Sequence, residues 1–254
     1  MEKKKNEWQS AFGICENSGR PSRYLQSLAE ANIIGLLSDE EAEIELLKHY
    51  GNHASNIKYQ KDLIILRIKR YLAVKDFNLS KEYLFAIHKY LFNGVYEDAG
   101  VIRLTNLSRK EKCLEGYSVI YANQPMIDAD LEYDFALQRK KRPKSKDPYD
   151  MIDYLAPFIS NIWQAHPFSN GNTRTVSVFL EKYLISMGYN TTNDIFKENS
   201  TYFRNSLVRA NYTTIPHLAP TDIYLRKFLE KVLVNPDINL DINETYINPP
   251  QRLR

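Results

Sequence analysis

Nine consecutive residues, His166-Pro167-Phe168-Ser169-Asn170-Gly171-Asn172-Thr173-Arg174, join two strongly apolar segments and carry side chains suited to chemistry. Pro167 disfavours helical backbone at the residue before it, so His166 is expected to end the first segment's helix and project into the cleft that the loop borders. Asn170-Gly171 permits positive φ, and a helix is expected to start just after it. Unpaired backbone N–H groups then converge into an anion cradle. Arg174, in the first turn of that helix, adds a fixed positive charge and a fork of donors suited to phosphate oxygens. His166, with a reference pKa of about 6.5, is the one side chain of the loop able to take a proton near neutral pH. A base beside a phosphate cradle implies phosphoryl or nucleotidyl transfer. Each piece alone is more often structural, and it is their combination that points to a site.

The elements around this loop read as mostly helical. Ser38 with Glu41 three residues on is a capping-box pattern, followed by Ile44, Leu46, Leu47 and Tyr50 and a stop at Gly51-Asn52. A helix from about Asn56 carries Leu63, Ile64, Leu66, Ile68, Tyr71 and Leu72 at helical spacing, and Ser80 caps another through Leu91 that stops at Gly94. Asp147-Pro148 opens the helix that leads into His166, with Pro157 expected to kink it. The helix after the loop is expected over Thr175 to Met187, with further helices over about Ser200 to Tyr212 and Asp222 to Leu233. Between Gly100 and Ala122 the alternation of Val101, Arg103, Thr105 and of Tyr117, Val119, Tyr121 predicts a short β-hairpin. The polar run Arg139 to Lys146 reads as an exposed connection. The first twenty residues are polar and aperiodic. The expected organisation is an N-terminal extension over 1–37, helical in part, a principal domain over 38–234 and a C-terminal tail over 235–254.

Bulk properties narrow the function classes. The 254 residues are 43% hydrophobic and 26% charged, which is ordinary for a chain with a packed core. A net charge of +3 argues against a dedicated nucleic-acid binder. No apolar run approaches the ~18 residues of a membrane span, and none follows the basic start as in a signal peptide. Cys15 and Cys113 show no metal-binding spacing and suit a reducing compartment, so a cytoplasmic setting without nucleic-acid or membrane partners is expected. His49, His53, His88 and His217 also lack metal-like spacing.

The segment His166 to Ser177 resembles the Fic motif HxFx(D/E)GNGRxxR, in a GNTRT variant. Ile87 to Phe92 and Tyr96 to Arg103 are similar to the family's upstream H-x-x-LF and Y-x-x-AG-x-IR stretches, and Tyr202 to Tyr212 to its post-motif helix. The resemblance implies an all-α Fic (Fido) fold with a short β-hairpin flap and a protein adenylyltransferase activity. His166 would deprotonate a Ser, Thr or Tyr hydroxyl of a target protein, which attacks the α-phosphorus of ATP. Gly171, Asn172, Thr173 and Arg174 would hold the phosphates, with Asn172 and Arg174 counted with His166 as catalytic, and Phe168 would anchor the loop in the core. The flap residues Cys113, Leu114, Glu115, Gly116, Tyr117 and Ser118 would dock the target by strand pairing. An antitoxin or regulatory partner is compatible with the family; oligomeric state is not legible.

Three departures from the motif matter. Asn170 stands where Asp or Glu would bind Mg²⁺ on ATP, and losing that charge removes roughly 1 to 4 kcal/mol of metal attraction. A slow transferase, working with Mg²⁺ or with Mn²⁺ in its place, is the expectation. Thr173 replaces a glycine and Ser177 an arginine. Ala54 to Tyr59 resembles the family's inhibitory segment by position only, with Lys58 where its glutamate would be, so restraint by that route is expected to be lost. The alternatives are a catalytically weakened Fic-fold nucleotide-binding or scaffold protein, or a relative that transfers another phosphate-bearing group.

Overall fold

The computed structural model describes residues 1–51, 56–141, 143, 145, 147–189, 196, 198–213 and 219–248. Asn52, His53, Ala54, Ser55 and His217, named above, lie outside them, as do Arg142, Lys144 and Lys146 of the polar run and the last six residues of the tail. The described residues are mainly helical and divide into two compact units. Met1–Asn78, Glu82–Val101 and Ser177–Ser200 form the first; Leu79–Lys81, Ile102–Val176 and Thr201–Arg254 form the second.

The first unit holds α1 (Glu2–Cys15), α2 (Arg23–Ile33), α3 (Asp39–Tyr50), α4 (Ile57–Ala73) and nearly all of α5 (Lys81–Phe92). Side chains cap three of these helices. Ser22 accepts from the Leu25 N–H, Ser38 and Glu41 form the expected capping box, and Asn56 accepts from Lys58 and Tyr59. Each such cap is worth about 1 kcal/mol. The start of the chain differs from its polar appearance. Trp8, Ala11 and Cys15, spaced three and seven residues apart, bury one face of α1, which packs on α4. Trp8 donates to Asn32 Oδ1 at 3.0 Å, and Asn32 donates to Asp39 Oδ1 at 2.9 Å. Lys69, only 1% exposed, pairs with Asp39 and with Glu7, so its buried charge is compensated from α1 and α3. His88 is buried too, and its Nδ1 accepts from the Gly100 N–H at 2.8 Å, a structural role. A Cβ on Gly100 would meet Lys89 Cβ at 2.7 Å, which is why the Ala-Gly step needs glycine.

The second unit is organised on α7 (Pro148–Ala165), against which α6 (Ile127–Lys140) and α10 (Ile223–Leu233) pack. Asp147 caps α7 and Pro148 occupies its first turn, as the sequence predicts; the helix continues through Pro157. α6 was not anticipated. Its apolar positions Ile127, Leu131 and Phe135 recur every four residues and face the core, Phe135 meeting Phe158 edge-on at 5.2 Å. α8 (Asn172–Ser186) begins one turn earlier than its apolar pattern and continues into the first unit. α9 (Ser200–Asn211) carries Phe203 against Phe228 of α10. Beyond α10 the turn Ile242–Thr245 is tied down, Thr245 accepting from Asn205 and Arg209 of α9.

The expected β-hairpin is corrected. Residues 100–122 form no strand; a short 3-10 turn, Lys112–Leu114, sits at the reversal, with Glu115 and Gly116 at positive φ. At the reversal Glu111 N–H donates to Tyr117 O at 3.0 Å, and farther out the arms are held by other partners. Arg103 donates to Thr105 O at 2.6 Å and to Ala122 O, one carbonyl from each arm, while Ala122 N–H and Ile120 O bond to Gln164 at the end of α7. Beyond the backbone bond at the reversal, a side chain thus clamps the arms.

Candidate active site

His166 closes α7 in the left-handed conformation, φ 46° and ψ 57°, with its N–H on Trp163 O at 3.1 Å. Pro167 explains the exclusion of right-handed helix, and a non-glycine residue held here stores roughly 1 to 2 kcal/mol of backbone strain. Arg103 holds the turn from both sides. Its backbone N–H donates to Pro167 O and its Nε to His166 O, each at 2.8 Å. The loop-forming arginine and the candidate base are therefore one rigid unit.

The His166 ring, expected to project into the cleft that the loop borders, is covered: the residue is 4% exposed. Tyr121 lies over the imidazole with centroids 4.0 Å apart, and Trp163 meets it edge-on at 5.2 Å. The left-handed turn folds the ring back along the last turn of α7, where it is covered. Its Nδ1 is 3.1 Å from Trp163 O, and since a carbonyl can only accept, Nδ1 carries the proton and Nε2 the lone pair. Burial pushes the pKa down to about 3; the Trp163 carbonyl opposes this, and the positive charges of Arg109, Arg204 and Arg103 add to it. The imidazole is neutral throughout the physiological range.

The cradle has the expected elements, with one reassignment. Gly171 adopts φ 81°, a conformation that other residues enter only with strain. α8 begins immediately after it, the first helical bond running from Thr175 N–H to Gly171 O, so the N–H groups of Asn172, Thr173 and Arg174 form the helix opening. The Asn172 amide is spent on the loop itself: it accepts from Phe168 N–H at 3.0 Å and donates to Phe168 O at 2.6 Å. Only its backbone faces outward chemistry. Thr173 Oγ1 accepts from Trp163 Nε1 at 3.0 Å, and Phe168 is buried in the core as expected. Arg174 is partly exposed.

Asn170 is exposed, and a cation already sits on it. Arg109 Nη2 donates to Asn170 Oδ1 at 3.3 Å and to the carbonyl of Ser169. Among the described residues no cluster of His, Cys, Asp or Glu could hold a metal ion. An amide oxygen shared with a guanidinium does not fit a divalent cation, so the metal expected at Asn170 has no site built for it by these residues. Arg109 Nε is buried without a partner, a deficit of about 1 to 3 kcal/mol that a bound acceptor would relieve. Arg204 Nε is likewise buried without a partner, but its Nη2 lies 2.7 Å from both Glu111 oxygens.

The flap residues divide by burial. Cys113 and Leu114 are buried, and burial pushes the Cys113 thiol up to about 11. Glu115, Gly116 and Tyr117 are exposed, while Ser118 accepts from Arg109 N–H at 3.0 Å. The tail reaches this region: Ile247 N–H bonds to Cys113 O and Asn248 to Glu115. Sequence reasoning gave no site role to Arg103, Arg109, Glu111, Tyr121 or Arg204. Arg103 and Arg204 fall in the family-like stretches quoted above, but Arg109 and Glu111 stand in a charged run that reads as solvated surface.

The Fic/DOC family model matches residues 78–184. The protein adenylyltransferase VbhT of Bartonella schoenbuchensis is 26% identical over 165 residues, which are 60% of this chain and 33% of that protein. The chain thus spans about a third of that relative's length. Two solved structures share the fold: the BepC effector of Bartonella tribocorum with bound AMPPNP (TM-score 0.54, 18% identity, 68% of this chain and 83% of that one). The second is the N-terminal FIC domain of Bep8 from Bartonella sp. 1-1C (TM-score 0.55, 17% identity, 72% of this chain and 88% of that one). The His166 to Arg174 loop lies inside the segment that the Fic/DOC family model matches, and the chain shares its fold with these Fic-domain effectors.

Proposed function

We propose that this chain is a protein adenylyltransferase that moves AMP from ATP to a Ser, Thr or Tyr hydroxyl of a target protein. The observation that carries this reading is the 3.1 Å approach of His166 Nδ1 to Trp163 O, which assigns the proton to Nδ1 and leaves the Nε2 lone pair to take another, at the loop that opens α8. The phosphates would lie on the N–H groups of Asn172, Thr173 and Arg174 and on the Arg174 guanidinium. The target oxygen forms a bond to the α-phosphorus as its proton passes to Nε2, and the bond to the bridging oxygen breaks to release pyrophosphate. Tyr121 would have to move off the ring before a hydroxyl could reach it, which makes the enzyme slow in this conformation. Gly116 and Tyr117 at the exposed tip would meet the target, with backbone pairing as the contact. A cytoplasmic setting and a restraining partner belong to the same reading. In a test with cell lysate and ATP labelled at the α-phosphate, a target should gain one AMP unit, and His166→Ala should abolish it. Label arriving only from the γ-position would replace AMP transfer with phosphoryl transfer.

The coverage of His166 by Tyr121, with an amide at the metal position, favours a second reading in which the chain binds nucleotide without turnover. Tight ATP binding by a folded chain that labels no protein would select it.

A further inference from the structure

The Fic resemblance implies a metal at position 170, and the residues there do not fit one. We propose that Arg109 takes the place of the divalent cation, so that this chain binds the nucleoside triphosphate as a metal-free anion.

Four observations point this way. The acidic ligand is absent, and Asn170 Oδ1 instead accepts from Arg109 at 3.3 Å. Arg109 is fastened to the loop by the Ser169 carbonyl, and its own N–H is held by Ser118 Oγ, so the guanidinium is positioned by both arms of the site. Of the three arginines whose charge His166 feels, Arg204 is neutralised by Glu111 and Arg103 is committed to three carbonyls. Arg109 pairs with no carboxylate among the described residues, and its Nε is a buried donor with no partner. Nη2 already donates to two oxygens of the loop, and the unpartnered Nε–H beside it gives the fork a further donor for a phosphate oxygen once its cover moves aside.

A fixed guanidinium at this loop repels a divalent cation, which lowers the gain from adding a metal to the same phosphate oxygens. Arg109 therefore supplies the positive charge that the missing carboxylate would have recruited with a metal. This inference rests on the nucleotide-binding reading above, but it makes its own statement about which form of the nucleotide binds.

The test is equilibrium binding of ATP to the full chain by calorimetry, once in EDTA and once in excess Mg²⁺. The expected result is an affinity in EDTA at least equal to that in Mg²⁺. Arg109→Ala should weaken metal-free binding by about ten- to a hundredfold, the loss of one charged hydrogen-bonding group. Arg109→Lys, which keeps the charge and spares the fold, should retain part of it. Adding Asn170→Asp to Arg109→Ala should restore binding only when Mg²⁺ is present. Binding by the wild type that requires Mg²⁺ overturns the proposal and leaves the nucleotide reading intact. No binding of ATP under either condition, by a chain shown folded by circular dichroism, overturns both.

Discussion

Tyr121 lies over His166, ring centroids 4.0 Å apart and planes tilted by 31°, so an aromatic side chain shields the candidate base. Tyr121 is itself buried, with its hydroxyl 3.5 Å from Glu111. Removing the shield with Tyr121→Ala should rehydrate the imidazole, move its pKa up from about 3 toward 6.5, and raise AMP transfer by about tenfold or more. Proton NMR titration of the ring together with a labelled-ATP assay checks this. A pKa that stays near its buried value would show that Tyr121 is not the cause.

Two buried groups act on stability in opposite senses. His166 stays neutral in the folded chain down to about pH 3, whereas the unfolded chain protonates it near 6.5; stability is therefore present above 6.5 and lost as pH falls toward 3. Glu181 has one oxygen on Ser10 and the other without a partner, and burial raises its pKa from 4.5 to about 7. The folded chain keeps that proton longer than the unfolded one, so stability is present below 4.5 and lost as pH rises through 7. Urea midpoints measured against pH should flatten on the acid side for His166→Gln and near neutrality for Glu181→Gln. Profiles parallel to wild type would contradict the assignment.

Arg103 connects the loop to both arms of the 102–122 segment. Replacing it with Ala strips partners from the carbonyls of His166, Thr105 and Ala122, at about 1 to 3 kcal/mol for each group left buried and unmet. Arg103→Lys should not rescue, because a point charge cannot span three carbonyls. Thermal unfolding of both variants would decide; full stability of Arg103→Lys would refute the clamp.

The Asn172 amide is bonded to Phe168 through both its oxygen and its nitrogen. Asn172→Ala should lower stability by about 1 to 3 kcal/mol and slow transfer with it. Asn172→Asp, which keeps the acceptor for Phe168 N–H and loses the donor to Phe168 O, should fall between them. An Asn172→Ala chain of unchanged stability but lost ATP affinity would instead assign the amide to the ligand.

Lys58 is exposed on the first turn of α4, beside the Asn56 cap. Lys58→Ala is expected to leave AMP transfer within about twofold, as for an ordinary surface substitution. Strong stimulation in the same assay would show that this segment restrains the enzyme after all.

Local signals account for what could be read without coordinates. Caps at Ser38, Asn56 and Asp147, the stop at Gly94 and the compact loop from His166 to Arg174 each depend on residues within a few positions of one another. Short-range backbone sterics and hydrogen bonding decide such features, so they are written in the chain. α1 and α6 were missed because their apolar faces are narrow and flanked by charge, so that burial against a neighbouring helix, and not propensity, makes them helical.

The amino-acid order by itself determined that His166 leaves the right-handed helix, that Gly171 opens α8, and that the loop resembles the Fic motif. Only the tertiary structure decided how the site is dressed: Tyr121 over the imidazole, Arg103 in place of a strand ladder, and Arg109 on Asn170. Those partners lie dozens of residues away along the chain, and their effects on charge and access come from desolvation and through-space electrostatics. These depend on distance in space and leave no periodicity or spacing behind in the sequence.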